Sequence, residues 1–214
     1  MIKKTEEFVR KTLEGAEAGH DWSHIQRVVR NARTIAAVEK ADPFVTEIAA
    51  LLHDIADSKF HDGDESVGPA RAREFLGSLG LGEDLVLQVE HIIRSVSYKN
   101  ELEPSSEGPE DPIELQVLKD ADRLDAMGAI GIARAFHYGG FKNRLIYDPE
   151  VPPVPDQGKE EYKKSTAPTI NHFYEKLLLL KEKMNTRTGR ALAEQRHEFM
   201  LSFLDRFYEE WEGK

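Results

Sequence analysis

The chain has no cysteine. That absence removes a disulfide framework, a thiolate zinc site and a cysteine nucleophile, so any metal must be held by imidazole and carboxylate. Also missing is an apolar run of the roughly 18 residues that a membrane-spanning helix needs. The opening MIKKTEEFVRKTLEG mixes acids with bases and lacks the apolar core of a secretory signal. No membrane partner is expected, and the expected location is cytoplasmic. Basic residues fall short of acidic ones. The formal net charge of −10 argues against a nucleic-acid polymer as partner, because duplex affinity comes largely from Lys and Arg neutralising phosphates. Paired strands with hairpin turns are absent, and so are internal repeats.

What the chain does have is helical periodicity. Ile25, Val28, Val29, Ala32, Ile35 and Ala36 form one apolar stripe, and Phe44, Ile48, Leu51, Leu52 and Ile55 another. Ser23 with Gln26 reads as a capping box for the first, and Asp42 followed by Pro43 opens the second. Helices are further expected at about 67–79, stopped by Gly80, and at about 83–96. NELEPSSEGPEDP cannot pack a core and reads as a solvated loop. After Asp111 and Pro112 a helix is expected to run through IELQVLKDADRLDAMGAIGIARAF. The stretch YGGFKNRLIYDPEVPPVPDQGKEEYKKSTAP has the length of a functional lid or a disordered segment. Two helices, about 169–184 and 189–211, close the chain, the last striped by Leu192, Phe199, Met200, Phe203, Phe207 and Trp211. The expected class is all-α: a helical bundle forming one domain over residues 1–214, long enough to bury a good core.

Four potential ligands sit in otherwise apolar helical segments: His24, His53, Asp54 and Asp122. They are far apart in the chain, so separate helices must supply them, and a bundle can bring inward-pointing residues to one point. Two imidazoles and two carboxylates suit one divalent ion (Mn, Mg, Fe, Co, Ni or Zn) and leave positions open, as a catalytic rather than a structural site does. An ion so held activates water and polarises a phosphoryl oxygen.

The strings carrying these residues, GHDWSHIQRV, LLHDIAD and KDADRLDAMGAIGIARAF, together with the tail HFYEKLLLLKEKMNTRTGRALAEQRHEFM, resemble the HD-domain metal-dependent phosphohydrolases. More narrowly, they resemble the bacterial subgroup that includes nucleotide pyrophosphohydrolases. The family motif is a first histidine, then an adjacent His-Asp pair, then a distant aspartate. The resemblance covers nearly the whole chain and implies a motif core at about 20–137, with C-terminal helices at about 169–211 completing the pocket. By this reading His20-Asp21 is a decoy pair. With only His61 and His91 as extra histidines between the pair and the last aspartate, one metal is expected rather than two.

The implied substrate is a phosphorylated small molecule, a nucleoside triphosphate or related nucleotide. Asp57 lies about one turn after Asp54 and is the candidate to activate the attacking water, as an acid just after the pair is proposed to do in similar hydrolases; Glu65 is the alternative. Cations for the phosphates are Arg27, one turn after His24, and His172 with Lys176, which the resemblance favours as cavity residues on one helix face. Lys59, Lys119, Arg123 and Arg196 are weaker candidates, and Arg27 and Arg123 could equally orient carboxylates. His20, His61, His137 and His197 read as surface residues. Gly128 and Gly131 do not follow a strand, so they read as close-packing positions rather than a dinucleotide-binding turn. The alternative function is a non-catalytic metal- and nucleotide-binding regulatory module, and the apolar stripe of the last helix would also suit a homodimer.

Overall fold

The computed structural model describes residues 1–16, 20–56, 64, 66–96, 111–155 and 165–214. The protein is all-α, and the described residues contain no strand. Nor do they contain a helix long and apolar enough to cross a membrane. The chain divides into two compact units, Met1–Asp122 and Arg123–Lys214.

The first unit is built on α1 (Ile2–Thr12), α2 (Trp22–Glu39), α3 (Pro43–Leu52), α4 (Val67–Ser78), α5 (Glu83–Val96) and most of α6 (Ile113–Asp125). Helix α3 packs on α1, α2 and α5, and α4 pairs with α5. The predicted stripes face inward: Ile25, Val28, Ala32 and Ile35 on α2 and Ile48, Leu51 and Leu52 on α3 are all at most 1% exposed. Each large aliphatic so buried contributes roughly 1.5–3 kcal/mol. Helix α1 was not anticipated; Val9 and Thr5 are its buried residues.

Local chemistry sets the ends. Asp42 caps α3 as expected, accepting from the backbone N–H of Phe44 and Val45 at 2.8 and 2.9 Å. The start of α2 differs from expectation. Asp21, not Ser23, is the cap: its Oδ1 accepts from the His24 N–H at 2.9 Å, so the helix begins two residues earlier and His24 lies inside its first turn. Two ties hold α6 in place. Asn31 Nδ2 donates to the Ala121 carbonyl at 3.1 Å, and Glu114 Oε1 accepts from the Asp42 N–H at 2.9 Å. The Asn31 tie joins α2 to the turn of α6 that carries Asp122.

The second unit contains α7 (Gly128–Phe141), the short α8 (Asn171–Glu175), a 3₁₀ segment (Leu177–Lys183) and α9 (Arg187–Trp211). Helix α9 packs on α7 and on the 3₁₀ segment. Phe136, Phe173 and Phe203 meet at ring separations of 5.9–6.0 Å.

Two expected helices are broken. The one through residues 113–136 is interrupted because Met127 is extended and Gly128 takes φ +67°, a left-handed conformation that glycine adopts without penalty. Gly131 then lies so close to the end of α6 that a Cβ would come within 2.2 Å of the Ala126 carbonyl oxygen, which is the close packing the two glycines suggested. The helix expected at 169–184 becomes α8 and a 3₁₀ segment, because Lys176 leaves helical geometry at φ −145°, ψ −57°. On the last helix Met200 is buried as expected, but Phe199 and Trp211 are exposed. The expected loop residues 100–110 and the 156–164 part of the long irregular stretch lie outside the described residues.

Candidate metal centre

His24 sits in the first turn of α2, three residues after its cap, and is 3% exposed. His53 is the residue on which α3 ends. Its Nδ1 lies 2.8 Å from the Ala50 carbonyl oxygen. A carbonyl can only accept, so Nδ1 carries the proton and Nε2 keeps the lone pair that a metal needs. Asp122 projects from α6, its side chain 43% exposed, with Oδ1 3.5 Å from His24 Nε2. The His24 and His53 rings are 5.5 Å apart by centroid. One donor atom from each of His24, His53 and Asp122 lies within 4.8 Å of the other two.

That spacing fits an ion. Nitrogen and carboxylate donors sit about 2.0–2.2 Å from a first-row divalent metal, hence up to roughly 4.4 Å from one another, so the group needs to close by only a few tenths of an ångström. The donor set, two imidazoles and a carboxylate without thiolate, is that of an open catalytic site rather than a closed structural one.

Asp54 stands beside this group rather than among its three donors. Its Oδ2 is 2.5 Å from His20 Nδ1, and the His20 ring lies 6.1 Å from that of His24. Burial pushes the Asp54 carboxyl up. The hydrogen bond from His20, with the charges of His20, His53 and His24, outweighs this and holds it below its ordinary value. The two halves of the supposed decoy pair thus have separate tasks, Asp21 capping α2 and His20 gripping Asp54. His20 precedes the first helical residue, so no helical face marks it in the sequence.

The other site residues distribute as follows. Arg27 is half-buried one turn after His24. Asp57, Glu65, Lys59 and His61 lie outside the described residues. Lys119 forms a 2.6 Å ion pair with Asp111. In the second unit Arg123 donates to the Lys183 carbonyl at 2.6 Å, and Arg196 donates to the Leu124 carbonyl at the end of α6. Arg134 pairs with the buried Asp125 at 2.6 Å.

His172 lies on α8 and Lys176 just past its end, rather than both on one continuing helix; the Lys176 N–H still donates to the His172 carbonyl at 3.0 Å. Burial, then the charges of Lys176 and Arg144, push the His172 ring down to about 3. Arg144 was not foreseen. It comes near because Thr169 and Ile170 donate to the carbonyls of Leu145 and Ile146 at 2.9 and 3.0 Å, and its Nη2 donates to the Ser165 carbonyl at 2.6 Å. No local pattern in the sequence announces a contact between segments so far apart.

The HD-domain family model matches residues 21–127, the stretch that carries His24, His53, Asp54 and Asp122. The Bacillus subtilis protein YpgQ is 39% identical over 197 residues, covering 92% of this chain and 87% of that protein. A crystal structure of an HD-superfamily hydrolase from Bacillus thuringiensis superposes with TM-score 0.79 at 41% identity, covering 100% of this chain and 97% of that one. YpgQ solved in complex with ADP gives TM-score 0.76 at 34% identity, covering 98% and 97%. With the histidines and aspartates of the motif in the strings that match, the chain belongs to the HD-domain superfamily of metal-dependent phosphohydrolases.

Proposed function

We propose that the protein hydrolyses a nucleoside triphosphate or a closely related nucleotide, with one divalent ion held by His24, His53, Asp54 and Asp122. The observation that carries this reading is the convergence of His24, His53 and Asp122 donors within 4.8 Å, with the ionised Asp54 alongside. An ion there supplies Lewis-acid polarisation of a phosphoryl oxygen and a water of lowered pKa. The crystal structure of the relative YpgQ with ADP supports a nucleotide with a phosphate chain as ligand.

The chain's own residues then divide the work. His53, its proton fixed on Nδ1 by the Ala50 carbonyl, presents one ring nitrogen without having to change tautomer. Asp57 takes the proton as the attacking water forms its bond to phosphorus, and Glu65 is the substitute if Asp57 is not placed for it. Arg27, His172 and Lys176 hold phosphate oxygens. His172, neutral at pH 7, does so as a hydrogen-bond donor and not as a charge. Cleavage of the α,β-anhydride gives monophosphate and pyrophosphate, with one water consumed.

The test is a phosphate-release screen of mono-, di- and triphosphate nucleotides in manganese, with and without coupled pyrophosphatase, on the wild type and on Asp54→Ala. Phosphate that appears from triphosphates only with pyrophosphatase, and disappears in the variant, is the expected outcome. Release from monophosphates alone would reassign the protein as a nucleotidase. Nucleotide-induced thermal stabilisation with no product would make it a binding module.

A further inference from the structure

We propose that His20 is a positioning residue of the metal centre: its Nδ1 grips Asp54 Oδ2 and holds that carboxylate beside the His24, His53 and Asp122 donors, so that it is in place to join them when an ion binds. The inference rests on the metal reading of those four residues and not on the identity of the substrate.

Asp54 follows His53 directly, just where α3 ends. Past a helix end the backbone no longer fixes side-chain direction through helical packing, so a carboxylate there needs an external partner to hold one orientation. His20 is that partner at 2.5 Å. It lies immediately before Asp21, which caps α2 and places His24. A short stretch of chain therefore does three things at once: His20 orients one acidic group, Asp21 starts the helix, and His24 contributes an imidazole. The His20 ring lies 6.1 Å from the His24 ring, so the residue that holds Asp54 neighbours one of the donor imidazoles.

The direction of the hydrogen bond follows from chemistry. A carboxylate that ligates an ion is deprotonated and can only accept, so beside a ligating Asp54 the proton lies on His20 Nδ1. A hydrogen bond to a charged acceptor is about twice as strong as a neutral one, and the Asp54 side chain is only 18% exposed, which limits competition from water. Outer partners that fix a ligand's orientation change metal affinity by about 10–100-fold when removed. Usually a carboxylate plays that part for a histidine ligand; here the histidine plays it for the carboxylate.

The experiment is calorimetric titration of manganese into chelator-treated wild type, His20→Ala and His20→Asn, together with metal-free melting curves. Asparagine can place a side-chain N–H near the position of the ring Nδ1. We expect His20→Ala to weaken manganese by about 10–100-fold, His20→Asn to stay within about threefold of wild type, and the metal-free melting temperatures to agree. Wild-type affinity in His20→Ala overturns the proposal. So does an equal loss in both variants accompanied by a lowered metal-free melting temperature, since that is a folding defect. If the wild type binds no manganese, cobalt or nickel, the metal reading falls as well. If metal binding behaves as expected while the nucleotide screen is silent, only the substrate assignment falls.

Discussion

Two histidine environments, one in each compact unit, show how neighbours decide what the same side chain can do. In the first unit His24 and His53 stand among carboxylates, with Asp122 3.5 Å from His24 and Asp54 close enough for the histidines to stabilise its charge. In the second unit His172 stands among cations, Lys176 and Arg144, and partial burial together with their charges holds the ring neutral, down to about 3. The first arrangement attracts a positive ion, and the second disfavours any further positive charge. A carboxylate cluster needs a cation to offset its self-repulsion, and a cationic cluster around a neutral imidazole suits an anion with oxygens to accept from it.

The sharpest way to break this contrast is at Asp122. Its side chain is nearly half exposed, so Asp122→Ala is expected to leave the apo protein folded while removing a donor. We expect kcat/KM for the proposed nucleotide substrate to fall by about 10³-fold or more, equivalent to at least ~4 kcal/mol of transition-state stabilisation, against an unchanged metal-free melting temperature. Retained activity in manganese would remove Asp122 from the centre. Next in size is the effect of the ion on stability. A metal at 100 times its dissociation constant adds about 2.7 kcal/mol if it binds only the folded state. Chelation should therefore lower the melting temperature of the wild type and manganese restore it, with no response from Asp122→Ala.

The third test concerns the second unit. His172 ordinarily titrates at 6.5 and is pushed down to about 3 in the folded protein. Between those values the unfolded chain binds a proton that the folded one refuses, so stability rises with pH across that window and falls on acidification. The slope contributed by one such group is at most about 1.4 kcal/mol per pH unit. Melting curves from pH 6.5 down to pH 4 should show a steeper loss in the wild type than in His172→Gln. Equal slopes would mean that the ring is not held neutral.

How much of this was legible in the sequence depends on the physics behind each feature. The α2 and α3 stripes and the Asp42–Pro43 start depend on residues a few positions apart, and they were readable. His24, His53 and Asp122, which the structure brings together, stood out in the sequence because polar, titratable groups in apolar helices are conspicuous, whereas Asp54 lies beside them rather than among the three donors. The break at Met127–Gly128 was not, since a glycine in a helical pattern can pack a helix or end it, and only the approach of Gly131 to the Ala126 carbonyl decides between these. The contact of the partly exposed His20 with Asp54 and the nearness of Arg144 to His172 share a reason for being illegible: each joins segments distant in sequence. Ser23 and Asp21 were both acceptable caps by residue type, and the choice between them was settled only by the hydrogen bond to the His24 N–H.

The smallest expected effect separates the causes acting on His172. Burial is the largest, Lys176 the next and Arg144 the least. Removing a cation should therefore raise the midpoint of the ring without restoring it to its ordinary range, because the cost of charging a buried group remains. Lys176→Ala should raise it more than Arg144→Gln. The ring proton shifts of His172, followed by NMR through an acid titration, report this directly, and each variant's metal-free melting curve shows whether the surroundings are intact. If Arg144→Gln moved the midpoint more, the guanidinium would be the nearer charge, and the phosphate assignment in this unit would shift from Lys176 to Arg144. If neither variant moved it, burial alone would account for the neutral ring, and the contrast between a carboxylate-bound and a cation-bound histidine would reduce to one of solvent access.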